Sequence, residues 1–183
     1  MEKISGVISL AIPGPGIFGG YWALYFTDTR ILVVEMESII NATKNLLLSQ
    51  AGVALATEIV LSRVTRLNIL KLAGGVSASA VFLAEWEEQI EKQVEISKAF
   101  VEESPENLLS LGKKNFQISY DTIKNVVLKR AHWGSNKISI QADKNYNYGL
   151  MDMFGGVSDK GFDDYANLLK KLFPGKLEIT KGI

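Results

Sequence analysis

Apolar and polar positions change rhythm three times along this chain. Residues 21–35, YWALYFTDTRILVVE, form two apolar runs around the polar turn Thr27-Asp28-Thr29-Arg30. Tyr21, Trp22, Leu24, Tyr25 and Phe26 are bulky or aromatic, and Ile31, Val33 and Val34 are β-branched, so a half-buried β-hairpin is predicted. Val7, Ile8, Leu10 and Ile12 predict an earlier strand, broken by Pro13-Gly14-Pro15-Gly16 and Gly19-Gly20. That glycine-rich link lacks the Lys-Ser/Thr of a phosphate loop and precedes a strand rather than a helix. It reads as a turn.

The period changes at Ser38. Residues 46–61 and 67–84 are apolar runs of 16 and 18 residues with one charge each, Glu58 and Lys71. No proline occurs between 38 and 104, so a helical hairpin is predicted. Gly52 with Ala56, and Gly74 with Ala78 beside Gly75, have the small-xxx-small spacing that lets helix backbones approach closely. Two readings of this hairpin stand. One is a helical insert that self-associates away from lipid, because each run is shorter than the about 20 residues of a spanning helix. Arg63 and Arg66 at its tip would also have to cross a bilayer. The other is a hairpin that enters a membrane, on the strength of its low charge and small-residue packing. Beyond it, residues 85–106 carry eight acidic side chains and two lysines. Trp86, Ile90, Val94 and Phe100 fall near one helical stripe, so the glutamates read as a solvated helix face rather than metal ligands. Ser104-Pro105 either ends that helix or starts a short new one.

A period of two returns after residue 112. Strands are predicted over 115–120, 123–130, 137–142 and 146–153, with a turn at Trp133-Gly134-Ser135-Asn136. Residues 161–173 form a helix with an apolar face of Phe162, Tyr165, Ala166, Leu168, Leu169, Leu172 and Phe173, and Pro174-Gly175 stops it. The expected class is α+β. Residues 1–37 and 112–183 make an antiparallel β domain with a C-terminal helix, interrupted by a helical insertion over 38–111.

Charge and composition narrow the chemistry. The net charge is zero, yet residues 112–183 hold twelve basic and seven acidic side chains. Lys113, Lys114, Lys129, Arg130 and Lys137 are the candidate anion-binding residues, since a strand-turn-strand unit can gather the last three. The excess is too small for a nucleic-acid surface, and no RNP-type aromatic motif accompanies it. With no cysteine and one histidine, His132, there is no thiolate, no serine–histidine pair and no metal set to assign. No catalytic residue and no cofactor is expected. The segment MEKISGVISLAIPGPG has no signal-peptide pattern, which points to the cytoplasm, with membrane association if the hairpin meets lipid.

Two phrases resemble a known family. The phrase from Leu24 to Leu32, LYFTDTRIL, and the later ISYDTI from Ile118 to Ile123 are similar to the pleckstrin-homology-like (PH-like) superfamily, in its bacterial and archaeal PH-like and GRAM-like branches. The similarity covers about residues 1–36 and 112–175. It implies a PH-like antiparallel β-barrel or sandwich with a C-terminal capping helix. It also implies a non-enzymatic binding or scaffold role toward a protein partner or a membrane surface. The insertion would then mediate homo-oligomerisation or anchoring, as relatives with such a hairpin are often membrane-associated. The alternative is a lipid or small-molecule binding module, the apolar hairpin gripping an acyl chain and the basic zone meeting a head group. Inositide-binding members use a basic hairpin near the N-terminus. Here that region holds only Lys3 and Arg30, so inositide binding is not implied.

Overall fold

In the computed structural model the described residues are 2–13, 20–48, 90–131, 136–150 and 159–181. They form strands β1 (Gly6–Pro13), β2 (Trp22–Phe26) and β3 (Arg30–Glu35), then helix α1 (Met36–Leu48). Helix α2 covers residues 90–99 and runs into a 3-10 turn, Phe100–Glu102, before α3 (Pro105–Ser110). The remaining elements are β4 (Phe116–Ser119), β5 (Asn125–Arg130), β6 (Asn136–Gln141), β7 (Asn145–Leu150), α4 (Asp159–Leu172) and β8 (Leu177–Lys181). The fold is α+β, with one open sheet in the order β4-β3-β2-β1-β7-β6-β5-β8. Every neighbouring pair is antiparallel except β5 with β8. Two meanders, β1–β4 and β5–β7, therefore meet where Ala11, Ile12 and Pro13 pair with Leu150, Gly149 and Tyr148.

The hairpin is not half-buried as its composition suggests. Residues 23–26 and 31–34 are buried without exception, because both faces of β2 and β3 are covered. Leu24, Phe26, Ile31 and Val33 face an inner core shared with Val126, Leu128, Ile138 and Ile140, over which α4 lays Phe162, Ala166, Leu169 and Phe173. Ala23, Tyr25, Leu32 and Val34 face the opposite way, into a second core with Ile39 of α1, Ile90 and Ile96 of α2, Phe100 and Leu108. Continuous apolar runs, rather than alternating ones, mark strands buried on both sides.

A bulge in β1 serves this second core. Ile8 pairs with Leu24 and Ala11 with Trp22, so β1 carries one more residue than its partner between those pairs. Leu10 takes the left-handed conformation there, φ 56°. Ser9 and Leu10 consequently both turn toward the helices. The Ser9 and Ser97 hydroxyls share a buried hydrogen bond, and Leu10 is fully buried. A left-handed leucine costs about 1–3 kcal/mol, which burial of its side chain offsets at about 1.5–3 kcal/mol. The Tyr25 hydroxyl donates to the Ser97 carbonyl at 2.8 Å, tying α2 to β2 as well.

Several boundaries differ from the sequence pattern. β3 passes into α1 at Met36 rather than Ser38, with the Met36 N–H donating to Tyr21 O at 2.8 Å and the side chain buried. Ser104 starts a new helix: its Oγ accepts from the Asn107 N–H, and Pro105 occupies the first turn of α3. A further strand, β8, follows the C-terminal helix and pairs parallel with β5. Gly175, at φ 79°, turns the chain after α4 and launches it alongside β5. The apolar runs of 46–84 fall almost wholly outside the described residues, as do Gly52, Ala56, Gly74, Gly75 and Ala78. Among the described residues no helix is long and apolar enough to cross a membrane.

The TDTR turn is the anchor of a polar clamp. The Thr27 N–H donates to Arg30 O at 3.0 Å, and Thr27 Oγ1 accepts from the Thr29 and Arg30 N–H groups. Arg30 Nη2 lies 2.6 Å from Glu2 Oε2 and 2.6 Å from Glu106 Oε1, joining the N-terminal segment, the hairpin and α3. Partial burial pushes the Glu2 carboxyl up, but hydrogen bonds from Thr27, Thr29 and Arg30 and the Arg30 charge outweigh it, holding it at about 2. A carboxyl held below its unfolded value stabilises the fold above the ordinary carboxylate range, and that contribution is lost as pH falls toward 2. Urea denaturation of the native chain should therefore weaken more steeply below about pH 5 than that of Glu2→Gln. Parallel pH dependence of the two would show the clamp contributes nothing.

Candidate functional site

The two outer halves of the sheet differ. The outer side of β1–β3 is covered by α1–α3, whereas no described helix covers the outer side of β5–β8. Sheet register places Thr180, Lys129, Lys137 and Gly149 in one row across β8, β5, β6 and β7. The next row is Glu178, Val127, Ser139 and Asn147. Lys129 and Lys137 are exposed and directly opposite each other. Neither has a hydrogen bond or ion pair among the described residues. Ser139, Asn147 and Thr180 supply hydrogen-bonding groups around the pair.

The other sequence-derived candidates go elsewhere. Arg130 alternates to the opposite side of β5, where its guanidinium lies 4.3 Å from the Phe162 ring centroid and its Nη2 is 2.9 Å from Asp163 Oδ1. It holds α4 to the sheet and leaves Lys129 and Lys137 as a pair. Lys113 and Lys114 sit before β4, at the opposite edge of the sheet order. Lys113 is exposed; Lys114 Nζ is 2.8 Å from Glu35 Oε1, and that hydrogen bond and charge raise its pKa. His132 lies outside the described residues. Among the described residues no three His, Cys, Asp or Glu side chains are grouped to hold a metal.

One concave feature was not foreseen. Where the two meanders meet, Pro13, Trp22, Phe116, Tyr146 and Tyr148 line an open cleft of about 380 Å³ whose rim includes Lys144, Asn145 and Asn147. Phe116 stacks on Tyr146 with centroids 5.7 Å apart and planes at 23°, and Trp22 meets Phe116 edge-on at 6.2 Å. The Lys144 ammonium lies 5.0 Å from the Tyr146 centroid and 5.7 Å from that of Phe116. The Tyr146 hydroxyl donates to Asp143 Oδ1 at 3.3 Å. Burial, then the Asp143 charge and this bond, raise the Tyr146 pKa, and burial raises that of Tyr148, so both phenols stay neutral. The rings are visible in the sequence at inward positions of their strands. What was missing is the β1–β7 pairing, which brings Pro13 and Trp22 beside 146–148. Comparison with protein-family models, curated proteins and solved structures finds no match to this chain.

Proposed function

We propose that this chain is a non-enzymatic PH-like adaptor that docks an acidic protein segment on the outer face of β5–β8. It assembles with further copies through the apolar 46–84 segment. The observation that carries the docking half is the Lys129–Lys137 pair, which has no partner among the described residues. Like charges directly opposite on neighbouring strands destabilise a sheet, and a carboxylate-bearing partner turns that repulsion into attraction. The surrounding Ser139, Asn147 and Thr180 suit directional hydrogen bonds to carboxylates. Two lysines near an anionic bilayer contribute only about 1 kcal/mol each, too little for residence on a membrane through this face alone. What supports the PH-like reading is the succession of a four-strand meander, a three-strand meander and a helix packed on the inner core, with the TDTR turn between β2 and β3. The parallel β8 departs from it.

A fluorescein-labelled glutamate-rich peptide and phosphatidylserine vesicles separate the two anionic surfaces. Lys129→Glu with Lys137→Glu should weaken peptide binding about tenfold, and the native affinity should fall as salt shortens the screening length below about 8 Å. Lys137→Glu alone should leave stability unchanged or raise it by a few tenths of a kcal/mol. Peptide binding indifferent to both reversal and salt would remove the docking face, and binding to vesicles alone would assign it to membranes. Light scattering should find more than one copy per particle. A monomer at high concentration would remove the assembly half.

A further inference from the structure

Independently of the outer face, we propose that the cleft between Trp22 and Tyr148 binds a planar aromatic carboxylate. Its volume of about 380 Å³ lies at the small end of ordinary ligand sites. Four aromatic rings line it, Trp22, Phe116, Tyr146 and Tyr148, with Phe116 stacked on Tyr146 and Trp22 edge-on to Phe116. A flat, rigid body fits between Trp22 and Tyr148 by ring-to-ring contact with them and edge contact with the stacked pair, geometry a flexible acyl chain does not exploit. Lys144 decides the charge of the ligand. Its ammonium already lies over the two ring faces that would otherwise hold an external cation. Among the described residues it has no carboxylate partner, while its neighbour Asp143 is engaged by the Tyr146 hydroxyl. An anionic group at the rim meets that ammonium while the ring enters between Trp22 and Tyr148. The Tyr146 and Tyr148 phenols, whose pKa values are raised, remain neutral and do not oppose it.

Calorimetric titration of the full chain with 2-naphthoate, 2-naphthylmethanol and octanoate tests each part of this assignment. 2-Naphthoate should bind one per chain. The neutral naphthyl alcohol should bind about fivefold more weakly, and Lys144→Met should weaken 2-naphthoate by the same factor without affecting the alcohol. Octanoate should bind more weakly than 2-naphthoate. Phe116→Leu should weaken both naphthyl ligands, with circular dichroism confirming that the variant is folded. The Lys129→Glu, Lys137→Glu variant should bind 2-naphthoate as the native chain does, so failure of the outer-face reading leaves this one standing. Absence of one-to-one 2-naphthoate binding at millimolar concentration overturns the site. Indifference to Lys144→Met overturns the role of the ammonium, and octanoate binding as tightly as 2-naphthoate overturns the aromatic specificity.

Discussion

Replacing residues 38–110 with a short Gly/Ser linker is expected to abolish cooperative unfolding. Read as a sequence, this stretch is a module that a linker could stand in for, because a lengthened loop costs little in closure entropy. Packing argues the other way. Leu10, Tyr25, Leu32 and Val34 are all fully buried, and their cover comes from Ile39, Ile90, Ile96, Phe100 and Leu108. Exposing four such side chains forfeits about 1.5–3 kcal/mol each, comparable with the about 5–15 kcal/mol that a whole domain has. The Ser9–Ser97 and Tyr25–Ser97 hydrogen bonds go with them. Replacing only 49–89 keeps every residue named in this second core, so a loss confined to the longer replacement belongs to the core itself. A sharp urea transition in the longer variant would show that β1–β3 needs no helical cover.

Where residue pattern and local chemistry decide the structure, the sequence already carried the answer. The TDTR turn is closed by its own Thr27 side chain, so strands flank it as the pattern predicts. Alternation in 137–142 places Ile138 and Ile140 inward and Lys137 and Ser139 outward, as observed. Apolar spacing in 161–173 likewise marks the face of α4 that is buried. What remained hidden depends on partners distant in sequence. Leu32 looks like the back of a half-buried strand until α2 and α3 are laid over it. β8 is short, and Leu177-Glu178-Ile179-Thr180-Lys181 alternates too briefly to signal a strand without β5 beside it.

The same limit governs the candidate sites. Lys129, Arg130 and Lys137 are close in sequence, but adjacent strand residues face opposite sides, so Arg130 had to leave the group once Lys129 and Lys137 faced outward. The aromatic cleft depends on Pro13–Tyr148 register, a contact between residues 135 positions apart that no local pattern encodes.

Phe173→Ala should cost about 3–5 kcal/mol in urea denaturation, as for other buried phenylalanines. Phe173 is buried at the end of α4. Its ring meets Tyr120 edge-on at 4.7 Å and Phe26 at 6.3 Å. Tyr120 in turn donates from its hydroxyl to Thr27 O at 2.9 Å and from its N–H to Thr29 O at 2.9 Å. One side chain therefore joins the C-terminal helix to the hairpin turn through Tyr120 and to β2 through Phe26. Phe173→Leu keeps most of the volume and should cost less than about 1.5 kcal/mol. The gap between the two variants measures filled space rather than aromatic geometry. If α4 merely frays in Phe173→Ala, helical circular dichroism will fall while the urea midpoint stays put. A lowered midpoint with an unchanged slope would instead place Phe173 in the same cooperative unit as the hairpin.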